Sequence, residues 1–161
     1  MTLMRNWLWL SALVVALDQL TKYLVVQALR PLELVPLLPH LSLTLRFNTG
    51  AAFSFLNQAG GWQRWLFILL AVVVSVVILV WLWRLPRGRP WTAVALALVL
   101  GGAVGNLWDR VALGHVVDFV LLYYRQWEWP AFNVADSAIS VGAVLLVLES
   151  LLGERRRAPP G

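Results

Sequence analysis

Apolar residues run along this chain in four blocks, each long enough to cross a bilayer, for which about 20 mostly apolar residues suffice at a helical rise of 1.5 Å each. The first covers residues 6–29; it is apolar through Leu17 and then carries Asp18 and Lys22. Residues 65–83 and 91–108 contain no charged side chain. Residues 134–152 are interrupted only by Asp136 near their start and Glu149 near their end. Between the blocks the period changes. In Leu41-Ser42-Leu43-Thr44-Leu45-Arg46-Phe47-Asn48 apolar and polar residues alternate strictly, as in a half-buried strand. A second β-rich run, His115-Val116-Val117-Asp118-Phe119-Val120, is placed to pair with it, and Gly50 and Gly114 are turn signals beside the two runs. The expected fold is therefore membrane and mainly α: a bundle of four transmembrane helices with a small β-sheet and a short interfacial helix on the outer face.

Composition strengthens this reading. Of 161 residues, 60% are hydrophobic and 13% charged, against about a quarter charged in a soluble domain. The absence of Cys removes disulfides, thiolate metal sites and cysteine nucleophiles, and leaves the redox compartment undetermined. The length suits one integral domain over residues 1–153, followed by a disordered basic tail at 154–161. The first block continues into Asp18-Gln19-Leu20-Thr21-Lys22 with no small-residue cleavage site and reads as an uncleaved span.

A net charge of +5 would suit nucleic acid if the Arg residues formed a patch, but they flank apolar segments, so no nucleic-acid partner is expected. They set orientation instead. Arg5, Arg84, Arg87, Arg89 and Arg155 to Arg157 crowd short segments on one side; Arg30, Arg46, Arg64, Arg110 and Arg125 spread over longer loops. Both termini and the 84–90 loop are thus expected in the cytoplasm, and segments 30–64 and 109–133 on the outer face. Trp7, Trp9, Trp62, Trp65, Trp81, Trp83, Trp91 and Trp108 fall at span ends, where an amphipathic ring prefers the headgroup level. The 30–64 loop, with Gly60-Gly61 and prolines at 31, 36 and 39, is a candidate lid.

In so apolar a chain the carboxylates carry the information, since an Asp at a span centre costs roughly 2.5 to 3.5 kcal/mol on insertion scales. Asp18 and Lys22 are spaced i, i+4 in the order that favours an ion pair, which suits a structural bridge turned into the bundle. Asn106, Asp109 and Arg110 share one helix face, after Gly101, Gly102 and Gly105, which permit close approach of a neighbouring helix or a peptide. That face serves either as a satisfied polar cap or as a substrate contact. Asn48, before Gly50, is either a turn residue or a site residue. Asp118, flanked by apolar residues, is either a structural acid paired with Arg110 or an acid whose pKa is raised by desolvation. Asn133 fits an N-cap and Asp136 the first turn of the helix it starts. Asp118 and Asp136 fall at one membrane face and a similar depth. Two carboxylates brought within a few Å share a proton, so that one can polarise a carbonyl while the other activates water. With only His40 and His115, and neither H-E-x-x-H nor G-x-S-x-G, zinc and serine hydrolysis are poorly supplied.

Five stretches together resemble the lipoprotein signal peptidase (signal peptidase II) family of bacterial membrane aspartic proteases. They are Asp18 to Lys22, Phe47 to Ser54, Gly101 to Arg110, Val116 to Phe119 and Phe132 to Asp136, in the family's order from the first span to the fourth. The resemblance implies a catalytic pair of Asp118 and Asp136, substrate-binding roles for Asn48, Gly50, Asn106, Arg110 and Asn133, and supporting roles for Asp18, Lys22 and Asp109. It implies no cofactor and no metal. The substrate would be a prolipoprotein whose cysteine carries diacylglyceryl, cut before that cysteine by a monomer in the bacterial inner membrane, with membrane lipid as its other partner and globomycin as an inhibitor of the site. Two other classes use the same residues: a small transporter or proton channel with a polar relay, and a non-catalytic assembly subunit. Transport favours polar groups near the midplane, whereas these cluster towards the outer end.

Overall fold

A computed structural model describes residues 2–50 and 61–155, with side chains described from Trp7 to Leu152 outside the gap. Four helices are long and apolar enough to cross a membrane: α1 (Thr2–Ala28), α2 (Trp62–Arg84), α3 (Pro90–Ala112) and α4 (Val134–Arg155). A sheet fills the two connections on one side, with β1 (Leu34–Leu38) and β2 (Leu41–Asn48) between α1 and α2, and β3 (Val116–Tyr124) and β4 (Trp127–Glu128) between α3 and α4. Its order is β1-β2-β3-β4, every neighbouring pair antiparallel.

Why α3 is central follows from its small residues. It packs against α1, α2 and α4, and its buried face is built largely of Ala and Gly. A Cβ at Gly101 would lie 2.7 Å from Val14 Cβ and 2.8 Å from the Ser11 carbonyl oxygen of α1. One at Gly102 would collide with the Ala135 carbonyl of α4, and one at Gly142 would lie 2.6 Å from the Ala95 carbonyl of α3. The glycines thus admit neighbouring helix backbones, as their spacing predicts. Lower down, Ile78 and Leu82 of α2 close over Ala93, Leu96 and Leu100. The outward faces of the helices keep large apolar side chains exposed, among them Leu69, Val73 and Val77 on α2 and Val144, Leu148 and Leu151 on α4. Such faces suit lipid. All the expected interfacial tryptophans but one are exposed; Trp7 is partly buried against the α2–α3 core.

The alternating strand spans the residues expected, Leu41–Asn48, and pairs with β3 as anticipated. Leu45 meets Val25 of α1, with Val117 and Phe119, so that side of the sheet rests on the helix tops. The two-residue turns at Pro39-His40 and Arg125-Gln126 each place a residue at positive φ, His40 at 70° and Arg125 at 54°, a backbone that tight hairpins demand.

Some boundaries differ from expectation. The outer segments are shorter than 30–64 and 109–133, because α2 already begins at Trp62 and α3 runs on to Ala112. Asp109 and Arg110 are therefore helical. Hydropathy lost the last turn of α3 because Asp109 and Arg110 are charged, although Asp109 is paired within the protein. Pro90 extends the other end, since a proline at the first helical position sacrifices no hydrogen bond. No short interfacial helix occurs among the described residues. Helix α4 is regular to Arg155, and the rest of the expected tail, like Ala51 to Gly60 of the candidate lid, lies outside the described residues.

Candidate active site

At the sheet end of the bundle the polar residues singled out above converge. Asp118 is the third residue of β3, opposite Arg46 of β2, and is 3% exposed. Asp136 is in the first turn of α4. The N-terminus of that helix is a reciprocal cap: Asp136 N–H donates to Asn133 Oδ1 at 2.9 Å, and Asn133 N–H donates to Asp136 Oδ2 at 3.2 Å. The Asn133 side chain, fully buried, also donates to Asp118 Oδ1 at 2.7 Å. One residue therefore bonds both acids.

The other oxygens of the pair have donors too. Asn48 Nδ2 donates to Asp118 Oδ2 at 3.1 Å, while Asn48 Oδ1 accepts from Gly50 N–H at 3.0 Å. Asn48 thus makes the turn and also bonds Asp118. Asn106 Nδ2 donates to Asp136 Oδ1 at 2.8 Å. Burial, and then the negative charge of Asp136, push the Asp118 carboxyl up to about 7, against the opposing pull of the Asn48 amide, the Lys22 charge and the Asn133 amide. Arg110 makes no ion pair with Asp118; its guanidinium donates to the Asn106 and Gly50 carbonyls, both at 3.3 Å, and lies over the Phe67 ring. Its buried Nε has no partner. The structural alternative for Asp118 is thus not the one adopted.

Behind this pair lies a charged cluster. Lys22 pairs with Asp18 at 2.7 Å and with Asp109 at 2.8 Å, all three essentially inaccessible. Asp18 Oδ1 accepts the Ala135 N–H at 2.9 Å, joining α1 to the first turn of α4, and Asp109 Oδ2 accepts the Val117 N–H at 3.1 Å, joining α3 to β3. Gly105 leaves room for the cluster, since a Cβ there would lie 2.7 Å from Asp18 Oδ2. Sequence reasoning missed Gln19, whose amide donates to Asp109 Oδ1 at 2.8 Å and also contacts Asp18 Oδ2 and the Gly105 carbonyl. Its adjacency to Asp18 was the available signal. Arg64 was counted only for orientation, yet it donates to the Arg110 and Val111 carbonyls at 2.8 and 3.1 Å and caps α3.

A cavity of about 610 Å³ opens over the pair, lined by Asn48, Gly50, Asn106, Arg110, Asp118 and Asp136 on its polar side and by Leu122, Trp129, Phe132, Ile139 and Val141 on its apolar side. A buried and a part-buried carboxylate sharing a network of amide donors, beside a mostly apolar groove, can hold a water and a peptide carbonyl together.

The fold is that of a polytopic membrane protein, with a buried polar cluster at one end of a four-helix bundle. Residues 10–152 match the family model described as signal peptidase (SPase) II, and the chain belongs to that family. It is 59% identical over 145 residues to a lipoprotein signal peptidase of Pseudomonas syringae pv. tomato, covering 89% of this chain and 84% of the relative. It is 57% identical over 155 residues to the one from Pseudomonas putida, covering 95% and 91%. Among solved structures, one titled as a bacterial membrane enzyme determined by the in meso method at 2.3 Å superposes with a TM-score of 0.86 at 27% identity, covering 97% of this chain and 93% of the other. A second of the same description, at 1.9 Å, gives 0.79 at 28% identity, with 91% and 92% covered.

Proposed function

We propose that the protein is an aspartic endopeptidase that removes the signal peptide from diacylglyceryl-modified prolipoproteins by hydrolysing the bond before the lipidated cysteine. The observation that carries this reading is the bonding of Asp118 and Asp136, both lining the cavity, to one residue, Asn133. Substrate class comes from the relatives, described as lipoprotein signal peptidases.

In this reading the pair holds one proton near neutral pH. The ionised acid takes a proton from a water, whose oxygen adds to the scissile carbonyl carbon. The protonated acid gives its proton to the carbonyl oxygen. Collapse of the tetrahedral species breaks the C–N bond: the departing amine takes the proton that the first acid removed from water, and the second acid recovers a proton from the gem-diol as the new carboxyl group forms. Arg110, with its unpartnered Nε, holds a substrate carbonyl; Asn48, Gly50, Asn106 and Asn133 fix the acids and the peptide backbone. Asp18, Lys22 and Asp109 brace the helices that carry them. The apolar side of the cavity takes the signal helix and the acyl chains, each buried CH2 contributing about 0.8 kcal/mol. Globomycin would occupy the same cavity. The enzyme works as a monomeric domain of residues 1–153 in the bacterial inner membrane, with both termini cytoplasmic and the sheet on the outer face.

The transporter reading is disfavoured by the position of the polar groups, which gather at the sheet end. The test is cleavage of a lipidated precursor in detergent by Asp118→Asn and Asp136→Asn. Each is expected to lose at least ~10³-fold in kcat; near wild-type turnover in either folded variant overturns the reading.

A further inference from the structure

Lys22 is a buried ammonium with three acceptors: Asp18 Oδ2 at 2.7 Å, Asp109 Oδ2 at 2.8 Å and Asn106 Oδ1 at 3.1 Å. Two of these bonds balance charge. The third controls an orientation. An ammonium has donors only, so it can face only the oxygen end of the Asn106 amide. Asn133 Nδ2 is a second donor to the same oxygen, at 3.3 Å. With its oxygen end held by two donors, the amide must turn its NH2 end the other way, where Nδ2 meets Asp136 Oδ1 at 2.8 Å. Rotating the amide by half a turn would set an NH2 against Lys22 and an oxygen against a carboxylate.

We propose that Lys22 is a positioning residue for the hydrolytic pair: by pinning the oxygen end of the Asn106 amide, it keeps the NH2 end donating to Asp136. The inference rests on the paired-acid reading above and adds to it a reason for a buried lysine near the sheet end of the first span. The structural bridge to Asp18 accounts for the charge of Lys22; the bond to Asn106 links that charge to the chemistry.

The test must separate orientation from charge. Asp18 and Lys22 face the pair from α1, Asp109 and Arg110 from α3, and Asp118 and Asp136 face each other from β3 and α4; Arg46 and Glu128 form an ion pair farther out on the sheet. Lys22→Met alone would strip two buried acids of their cation. The double variant Asp18→Asn/Lys22→Met keeps the summed charge of the Asp18, Lys22 and Asp109 side chains, and an Asn at position 18 still offers Oδ1 to Ala135 N–H, but no ammonium holds Asn106. In the full-length protein in detergent, with a lipidated precursor, kcat is expected to fall at least ~10-fold and KM to stay within about twofold. The acid limb of the pH profile should move up by about half to one unit, because the pair has lost both a donor to its carboxylate and the nearby Lys22 charge. A folded double variant with the wild-type kcat and pH profile overturns the role of Lys22. If Asp118→Asn and Asp136→Asn are inactive in the same assay, the paired-acid reading survives that result; if they are active, that reading fails by itself. Should the double variant not fold, Lys22→Arg decides. Its guanidinium retains donors for Asn106, so an unshifted pH profile is expected even at reduced kcat, and a shifted one overturns the proposal.

Discussion

Asn133 and Asp136 close a ring of two hydrogen bonds at the start of α4, each residue's backbone N–H donating to the other's side-chain oxygen. The ring makes the helix start and the site one object. Removing Asn133 therefore has two effects that different substitutions separate. Asn133→Ala should cost about 1 kcal/mol from the lost cap, more for the donor withdrawn from Asp118, and lower kcat by ~10²-fold. Asn133→Ser keeps a capping oxygen but cannot reach Asp118. It should recover thermal stability in detergent without recovering precursor cleavage.

The raised Asp118 carboxyl gives a pH dependence of known sign. Its folded value, about 7, lies above the ordinary carboxylate value of 3.8. Between these values the folded state binds the extra proton, so stability falls as pH rises from about 4 to 7 and levels off above that. Thermal unfolding in detergent should show a midpoint that drops from pH 5 to pH 8. The drop should be smaller in Asp118→Asn, where this proton no longer exists.

Gly102 offers a packing test. A Cβ there meets the Ala135 carbonyl, a backbone atom that cannot swing aside. Gly102→Ala should push α4 from α3 and destabilise the protein by about 1 to 3 kcal/mol. Since Ala135 lies between Asn133 and Asp136, cleavage should fall with it. Unchanged melting and unchanged cleavage would show that the helices have slack at this crossing.

Arg64 ties α2 to the last turn of α3 through the Arg110 and Val111 carbonyls. Arg64→Met keeps much of the stem and removes the cap, at an expected cost of about 1 kcal/mol. Because the carbonyl it holds belongs to Arg110, KM for the precursor should rise more than kcat falls.

Orientation is testable because the chain has no cysteine of its own. Gln126→Cys lies at the exposed β3–β4 turn, and Arg87→Cys in the exposed α2–α3 turn. In spheroplasts a membrane-impermeant thiol reagent should label position 126 and spare position 87. The reverse pattern would invert the proposed topology.

Much of this molecule was legible in its amino acids, for reasons that differ by element. The two uncharged blocks became α2 and α3, since nothing but a helix satisfies its backbone in lipid. The alternation in Leu41–Asn48 located β2 but not its faces: the pairing with β3 is bulged between Leu43 and Arg46, the polar Ser42 and Thr44 are buried and Phe47 is exposed, while Leu45 packs on Val25 and its neighbours. β1 was not legible. Leu34-Val35-Pro36-Leu37-Leu38 has no alternation and contains a proline, tolerable only because β1 is an edge strand. β4, Trp127–Glu128, is too short to carry a pattern. At the site, the spacing of Asp18 and Lys22 and the cap at Asn133 could be read locally. The Asn133 bond to Asp118 and the Lys22 bonds to Asp109 and Asn106 could not, because they depend on how distant segments dock.

The bond from Ala135 N–H to Asp18 Oδ1 joins positions 117 residues apart, near opposite ends of the chain. The first span is made long before its partner exists. A nascent chain holding only three spans has no Asp136 in place, no ring at Asn133 and no closed cavity. On the proposed paired-acid reading, the site is therefore complete only once the final helix has docked against the first.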